Sequence, residues 1–149
     1  MVSGTVEARP RSESTETATV LHVDDDPVFL ELTRGILQQR GVEVASESDP
    51  RAVPERLEDG TVTVLISDYE MPEMDGDTLF QRVRHAHPSL PFVLFTGKER
   101  RDLSMEFEST EATWYVQKRG PGGYDRLVDV VREVVDRDRG WVPVTGSDD

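Results

Sequence analysis

Five short apolar runs, at 19–23, 42–46, 62–67, 91–95 and 113–117, alternate along the chain with longer stretches in which apolar residues recur at helical spacing. Runs of this length predict strands, and the nearly continuous apolar character of 62–67 predicts a central strand covered on both faces. The run 42–46 alternates apolar and polar residues instead, as an edge or half-buried strand does. A helix is predicted over 27–40, with Pro27 in its first turn behind an Asp cap, Val28, Phe29, Leu32 and Ile36 as its apolar face, and Gly41 as its stop. A shorter helix over 50–58 ends at Asp59 and Gly60, and another over 77–86 carries Leu79, Phe80 and Val83. The stretch 99–108 is a weaker helix, since Leu103, Met105 and Phe107 do not keep one period. The last helix is the clearest, with Tyr124, Leu127, Val128, Val131, Val134 and Val135 on one face. Five strands alternating with five helices predict an α/β fold: a doubly wound parallel sheet with right-handed connections and helices on both faces. The polar segment 1–17 is predicted to be disordered, the folded unit to span 18–140, and 141–149 to form a polar tail.

Parallel strands present their carboxyl ends at one edge of the sheet, where open α/β folds place their sites. Four of the runs end on polar residues with chemistry to offer: Asp24, Asp25 and Asp26 after the first, Asp68 after the third, Thr96 after the fourth and Lys118 after the fifth. Carboxylates gathered at neighbouring strand ends repel one another, and a hard divalent cation such as Mg²⁺ relieves that repulsion with one or two carboxylates, water and phosphate oxygens. An ammonium and a hydroxyl are what a phosphoryl group with a charge of roughly −1.5 to −2 needs beside it. Taken alone, the aspartate run reads equally well as a solvated helix cap. The four strand ends together point to a reaction centre.

Composition narrows the partners. The chain has 149 residues, enough for one domain with its own core. Its 30 acidic residues outnumber 17 basic ones, for a net charge of −13. Nucleic acid is therefore a poor direct partner, because its phosphates would be repelled. Only Lys98 and Lys118 among the cationic residues are lysines. An acidic chain almost without lysine fits a high-salt cytoplasm, where screening is short-ranged, with an ordinary acidic mesophilic protein as the alternative. The absence of cysteine excludes disulfides, iron–sulfur clusters and thiol catalysis. No segment has the pattern of a signal peptide or the length of a membrane span, so a cytoplasmic protein without membrane contact is expected.

The ordered motifs resemble those of a known family. Val23-Asp24-Asp25-Asp26-Pro27, the loop from Ser67-Asp68 through Met71-Pro72 to Met74-Asp75-Gly76, Phe95-Thr96-Gly97 and Tyr115-Val116-Gln117-Lys118 are similar to the landmarks of the receiver domain of two-component response regulators. The resemblance covers about residues 19–136, its Asp68 loop is the most specific part, and with the composition it implies a halophilic archaeal source. It implies a flavodoxin-like sheet order, 2-1-3-4-5. It also implies that Asp68 accepts a phosphoryl group from a phosphohistidine on a sensor histidine kinase or phosphotransfer protein. Mg²⁺ would be held by Asp25, by Asp68 and by the backbone carbonyl of Glu70, with Asp24 acting through water. Lys118 would neutralise the phosphoryl oxygens. Thr96 and Tyr115 would form the switch that alters the face of helix four, strand five and helix five toward a downstream protein target. Glu70 and Lys98 stand where the family tunes dephosphorylation. Homodimerisation through the same face is compatible with the sequence.

One landmark departs from the family pattern. Where a proline usually follows the lysine, this chain has Arg119 and then Gly120-Pro121-Gly122-Gly123. A cis bond before a non-proline residue costs about 2.5–4 kcal/mol, so a trans Lys118–Arg119 bond is expected. His22, His85 and His87 have no metal-ligand partners in sequence and read as structural. Two other functions are weighed: an aspartate-nucleophile phosphohydrolase of external substrates, for which the short segment after Pro27 leaves no substrate cap, and a phosphorylation-independent binding module. The receiver reading implies no enzyme beyond Asp68's own phosphorylation and dephosphorylation.

Overall fold

The alternation of side chains along each strand decides how the molecule is layered. In the computed structural model, which describes residues 19–103, 112–120 and 122–138, β1 (Thr19–Val23) places Val20 on one face of the sheet and Leu21 and Val23 on the other. The same division recurs in β3 (Val62–Ser67), where Val64 and Ile66 oppose Leu65, and in β4 (Phe92–Thr96), where Val93 and Phe95 oppose Phe92 and Leu94. With β2 (Glu43–Glu47) and β5 (Thr113–Gln117) these form one parallel sheet in the order β2-β1-β3-β4-β5. The expected fold class and order are therefore observed.

Two helices cover the Val20 face. They are α1 (Pro27–Gln39), which contributes Leu37, and the long terminal helix (Gly123–Asp138), which contributes Leu127, Val128, Val131, Val134 and Val135. On the Leu21 face lie the single-turn α2 (Val53–Arg56) and α3 (Gly76–Ala86), which supply Val53, Leu79, Phe80 and Val83. The terminal helix is α4. Caps fix the helix starts: Asp26 accepts from Val28 N at 2.9 Å, and Asp75 accepts from Thr78 N at 2.8 Å. Gly41 ends α1 with φ +83°, a left-handed conformation open to glycine.

Several expectations change. β2 and β4 lie one residue further along than the sequence pattern suggests, so Thr96 closes its strand. The helix predicted over 50–58 is a 3₁₀ turn (Pro50–Ala52) followed by the one turn of α2. Pro54, the fifth residue of the predicted helix, supplies no N–H to a longer hydrogen-bonded run. The predicted helix over 99–108 begins as a 3₁₀ turn at Arg100–Asp102, and 104–108 lie outside the described residues, as do 1–17 and 141–149. Among the described residues there are thus four α-helices.

The apolar face of α1 is also rotated from its predicted position. Val28 is 63% and Leu32 46% exposed, while Thr33 and Leu37 are buried. Thr33 is admitted to the interior because its Oγ1 shares a hydrogen bond with Tyr124 Oη at 3.1 Å. All peptide bonds among the described residues are trans, Lys118–Arg119 included. No described helix is long and apolar enough to cross a membrane.

Candidate functional site

The carboxyl edge of the sheet brings the strand-end residues together. β1 and β3 are paired in register up to Val23 and Ser67, so Asp24 and Asp68 leave the sheet side by side. Backbone bonds prolong the sheet there: Asp24 N donates to Glu47 O at 3.2 Å and Asp68 N to Val23 O at 3.0 Å. Asp24, Asp25 and Asp68 each present a carboxylate oxygen within 4.8 Å of the other two. Asp25 is exposed and Asp24 fully buried, while the Asp68 carboxylate opens slightly to solvent.

Lys118 reaches this cluster from the far side of the sheet. Its Nζ donates to Asp24 Oδ2 at 2.7 Å and to Asp68 Oδ2 at 3.1 Å. The ring of Phe29 packs 4.1 Å from the ammonium and helps hold it in the interior. Burial disfavours the Lys118 charge, but the bond to Asp24 and the Asp68 and Asp24 charges outweigh it and raise its pKa above the ordinary lysine value. Burial raises the Asp24 pKa above the usual carboxylate range, against the lowering pull of Lys118 and of the Asp26 N–H. Both Asp24 oxygens are occupied, since Oδ1 accepts from Asp26 N at 2.9 Å.

The Asp68 loop is tightly held. Asp68 Oδ1 accepts from Tyr69 N at 2.6 Å, its carbonyl accepts from Ser67 Oγ at 2.7 Å, and Gly76 N donates to Tyr69 O at 2.6 Å. Asp25, Glu70 and Lys98 line a shallow hollow over the site with Met71 and Pro72. Glu70 and Lys98 form an ion pair of 3.1 Å across its mouth.

Thr96 is buried at the end of β4, and its Oγ1 accepts from Lys98 N at 3.2 Å. Tyr115 donates from Oη to Lys98 O at 2.6 Å, and Gln117 Nε2 donates to Gly97 O at 3.1 Å. Two β5 side chains therefore grip the two residues that follow Thr96.

Residues 20–132 match the response regulator receiver domain family. The chain belongs to that family. It is 30% identical over 124 residues to the sensor kinase CckA of Brucella abortus, covering 81% of this chain and 13% of CckA. The chemotaxis response regulator CheY4 of Vibrio cholerae superposes with a TM-score of 0.68 at 27% identity, covering 79% of this chain and 98% of that one. The response regulator TrrA of Thermotoga maritima, solved in complex with Mg²⁺ and BeF, superposes with a TM-score of 0.70 at 23% identity over 79% of this chain and 99% of that one. The receiver spans about a quarter or less of the length of the curated relatives it matches.

Within this receiver, all the site residues expected from sequence lie at one edge, and Asp26 is peripheral as a helix cap. Two participants were not singled out. Phe29 lies on the predicted α1 face, but its packing on an ammonium arises only in the tertiary structure. Gly76 ends the motif around Asp68, and the way the Asp68 carbonyl occupies the place a Cβ would take there is invisible in one dimension.

Proposed function

We propose that this receiver takes a phosphoryl group on Asp68 from a phosphohistidine of a sensor histidine kinase or phosphotransfer protein, and passes the signal on by protein contact. The observation that carries the proposal is the Lys118 ammonium bridging Asp24 and Asp68 inside a cluster of three carboxylates. The donor set fits Mg²⁺: hard oxygen ligands, gathered closely and unequally buried. Asp25, Asp68 and the Glu70 carbonyl would hold the ion, and Asp24, whose two oxygens already have partners, would contribute through water. A bound Mg²⁺ supplies positive charge to the transferring phosphoryl oxygens.

The remaining work falls to the chain's own groups. An Asp68 carboxylate oxygen attacks phosphorus as the bond to the histidine nitrogen breaks, and the nitrogen keeps that electron pair. Phosphoryl transfer to a carboxylate calls for positioning and charge neutralisation rather than a general base. Lys118 can keep its bond to Asp24 while it exchanges Asp68 for a phosphoryl oxygen. When Thr96 turns its hydroxyl toward the phosphoryl group it releases Lys98 N, and the Gly97–Lys98 backbone gripped by Tyr115 and Gln117 moves with it. Thr96 and Tyr115 thereby act as the switch, and the Glu70–Lys98 pair at the mouth tunes how water reaches the acyl phosphate.

The test is labelling with acetyl phosphate and Mg²⁺, compared with Asp68→Asn and with beryllofluoride. One phosphoryl group per chain, absent from Asp68→Asn, is the expected result. Repeated turnover of an external phosphate ester would favour the phosphohydrolase instead, and no modification under any condition would favour a plain binding module.

A further inference from the structure

Arg119 stands where a proline usually follows the lysine in the family, and its side chain turns back over the end of β4. The residue is exposed, yet its Nε and Nη2 both donate to Gly97 O, at 3.2 and 2.7 Å. A Cβ added to Gly97 would lie 3.4, 3.5 and 3.6 Å from the Arg119 Nε, Cγ and Cδ, so the arginine stem is laid across that residue. A proline has no side-chain donor with which to make these bonds.

Gly97 O belongs to the same peptide unit as Lys98 N, which donates to Thr96 Oγ1 at 3.2 Å. A peptide unit is a rigid plane, so whatever fixes its carbonyl also aims its N–H. Gln117 Nε2 donates to the same carbonyl at 3.1 Å, but it is neutral, whereas the two arginine bonds are charge-assisted. The Lys118 backbone closes the turn from the other side, with its N donating to Thr96 O at 2.7 Å. The Thr96 hydroxyl thus has a backbone partner in this arrangement, and Arg119 orients that partner.

We propose that Arg119 is a positioning residue: it holds the Gly97–Lys98 peptide in the resting arrangement and so raises the cost of turning Thr96 toward a phosphoryl group on Asp68. The inference rests on the phosphoacceptor reading and names a restraint on that same switch. An interaction made in only one of two arrangements shifts the equilibrium toward that arrangement. Losing the Arg119 bonds therefore favours the turned arrangement, together with any phosphoryl group or analogue that it holds. Charge and disorder act in the opposite direction. Taking a cation away from the neighbourhood of an anion weakens anion binding, and a loosened loop must be ordered again at a cost. The sign of the change separates these causes.

Beryllofluoride with Mg²⁺, titrated into the full chain and followed by the fluorine NMR signal of the bound form, tests the restraint. Arg119→Gln removes both the charge and the fork, and is expected to bind beryllofluoride about three- to tenfold more tightly than the parent. Arg119→Lys keeps the charge but lacks the planar fork, and should fall between the two. In a Thr96→Ala background, Arg119→Gln should leave the affinity unchanged, because no hydroxyl remains to be released. Without beryllofluoride, amide exchange at Lys98 should speed up in Arg119→Gln, a readout that owes nothing to phosphoryl chemistry.

Unchanged or weaker beryllofluoride binding in Arg119→Gln would overturn the assignment, as would equal tightening in the Thr96→Ala background or unaltered exchange at Lys98. A parent protein that binds beryllofluoride and is labelled on Asp68, with Arg119→Gln behaving identically, sinks this inference alone. A parent that does neither sinks the phosphoacceptor reading and this inference with it.

Discussion

Glycines 35 and 76 both lie in helices, and one substitution, Gly to Ala, is expected to act with opposite sign at the two positions. Ala is favoured over Gly by about 0.8–1 kcal/mol in a helix interior. Gly35 is on the exposed side of α1, and a Cβ added there meets nothing within 4 Å. Propensity then acts alone, and Gly35→Ala should stabilise the fold by about 0.5–1 kcal/mol. At Gly76 the added Cβ would sit 2.6 Å from the Asp68 carbonyl oxygen and 2.8 Å from Tyr69 Cα, both backbone atoms. Neither retreats easily, because Asp68 N is bonded to Val23 O and Tyr69 O to Gly76 N. Forcing them apart costs about 1–3 kcal/mol, and the propensity gain is reduced at the first position of a helix. Gly76→Ala should therefore lose about 1–2 kcal/mol net. The displaced carbonyl belongs to Asp68, so labelling by acetyl phosphate should slow as well. Urea denaturation reads both effects as shifts in the midpoint at constant slope. A Gly76→Ala protein as stable as the parent, or a destabilised Gly35→Ala protein, would refute the close-approach argument.

Lys118→Met should destabilise the protein by about 3–5 kcal/mol, because it strands the fully buried Asp24 without its cation. Adding Asp24→Asn to Lys118→Met should recover much of that loss, and simple additivity in the double-mutant cycle would count against the pairing. Tyr124→Phe leaves the buried Thr33 hydroxyl without its partner and should cost about 1–2 kcal/mol, with an unchanged urea midpoint as the contrary result. His22 is buried, and burial first and the Lys118 charge second lower its pKa from 6.5 to about 3. Between those values the unfolded chain binds a proton that the folded chain does not, so stability present above pH 6.5 is lost as pH falls. At about pH 5 the loss is about 2 kcal/mol. His22→Leu should flatten the stability curve across that window, and parallel curves for the two proteins would dispose of the linkage.

The sequence made the sheet and the site legible for one reason: parallel strands buried on both faces must be written as apolar runs, and their ends must be polar. The bounds expected for β1, β3 and β5 are the observed ones. What the pattern could not show is rotation and depth. Periodicity marks α1 as amphipathic, but whether Leu32 or Thr33 faces inward depends on Tyr124, which is 91 residues away. The helix expected at 50–58 counted apolar positions and undervalued Pro54, which supplies no backbone donor where a fifth helical residue needs one. Asp24, Asp25 and Asp26 are chemically identical in sequence, and only the geometry of the strand end separates them.

That separation explains how the site tolerates its own charge. β1 stops at Val23, yet Asp24 still bonds to β2 through its N–H, and its side chain continues the strand's alternation into the interior. One residue later the backbone has left the sheet, and Asp25 faces solvent. Asp26 has turned far enough to cap α1. The buried aspartate thus works with a fixed cation, the exposed one is open to an ion from solution, and the third belongs to the helix. A buried carboxylate tied to Lys118 and to a backbone N–H is costly to break but cheap to keep, since both of its oxygens are already satisfied. It holds the ammonium against the Phe29 ring, within bonding distance of Asp68. Under the proposed phosphorylation, a cation would therefore not need to be recruited when charge arrived on Asp68; Lys118 would only have to change one of its two partners.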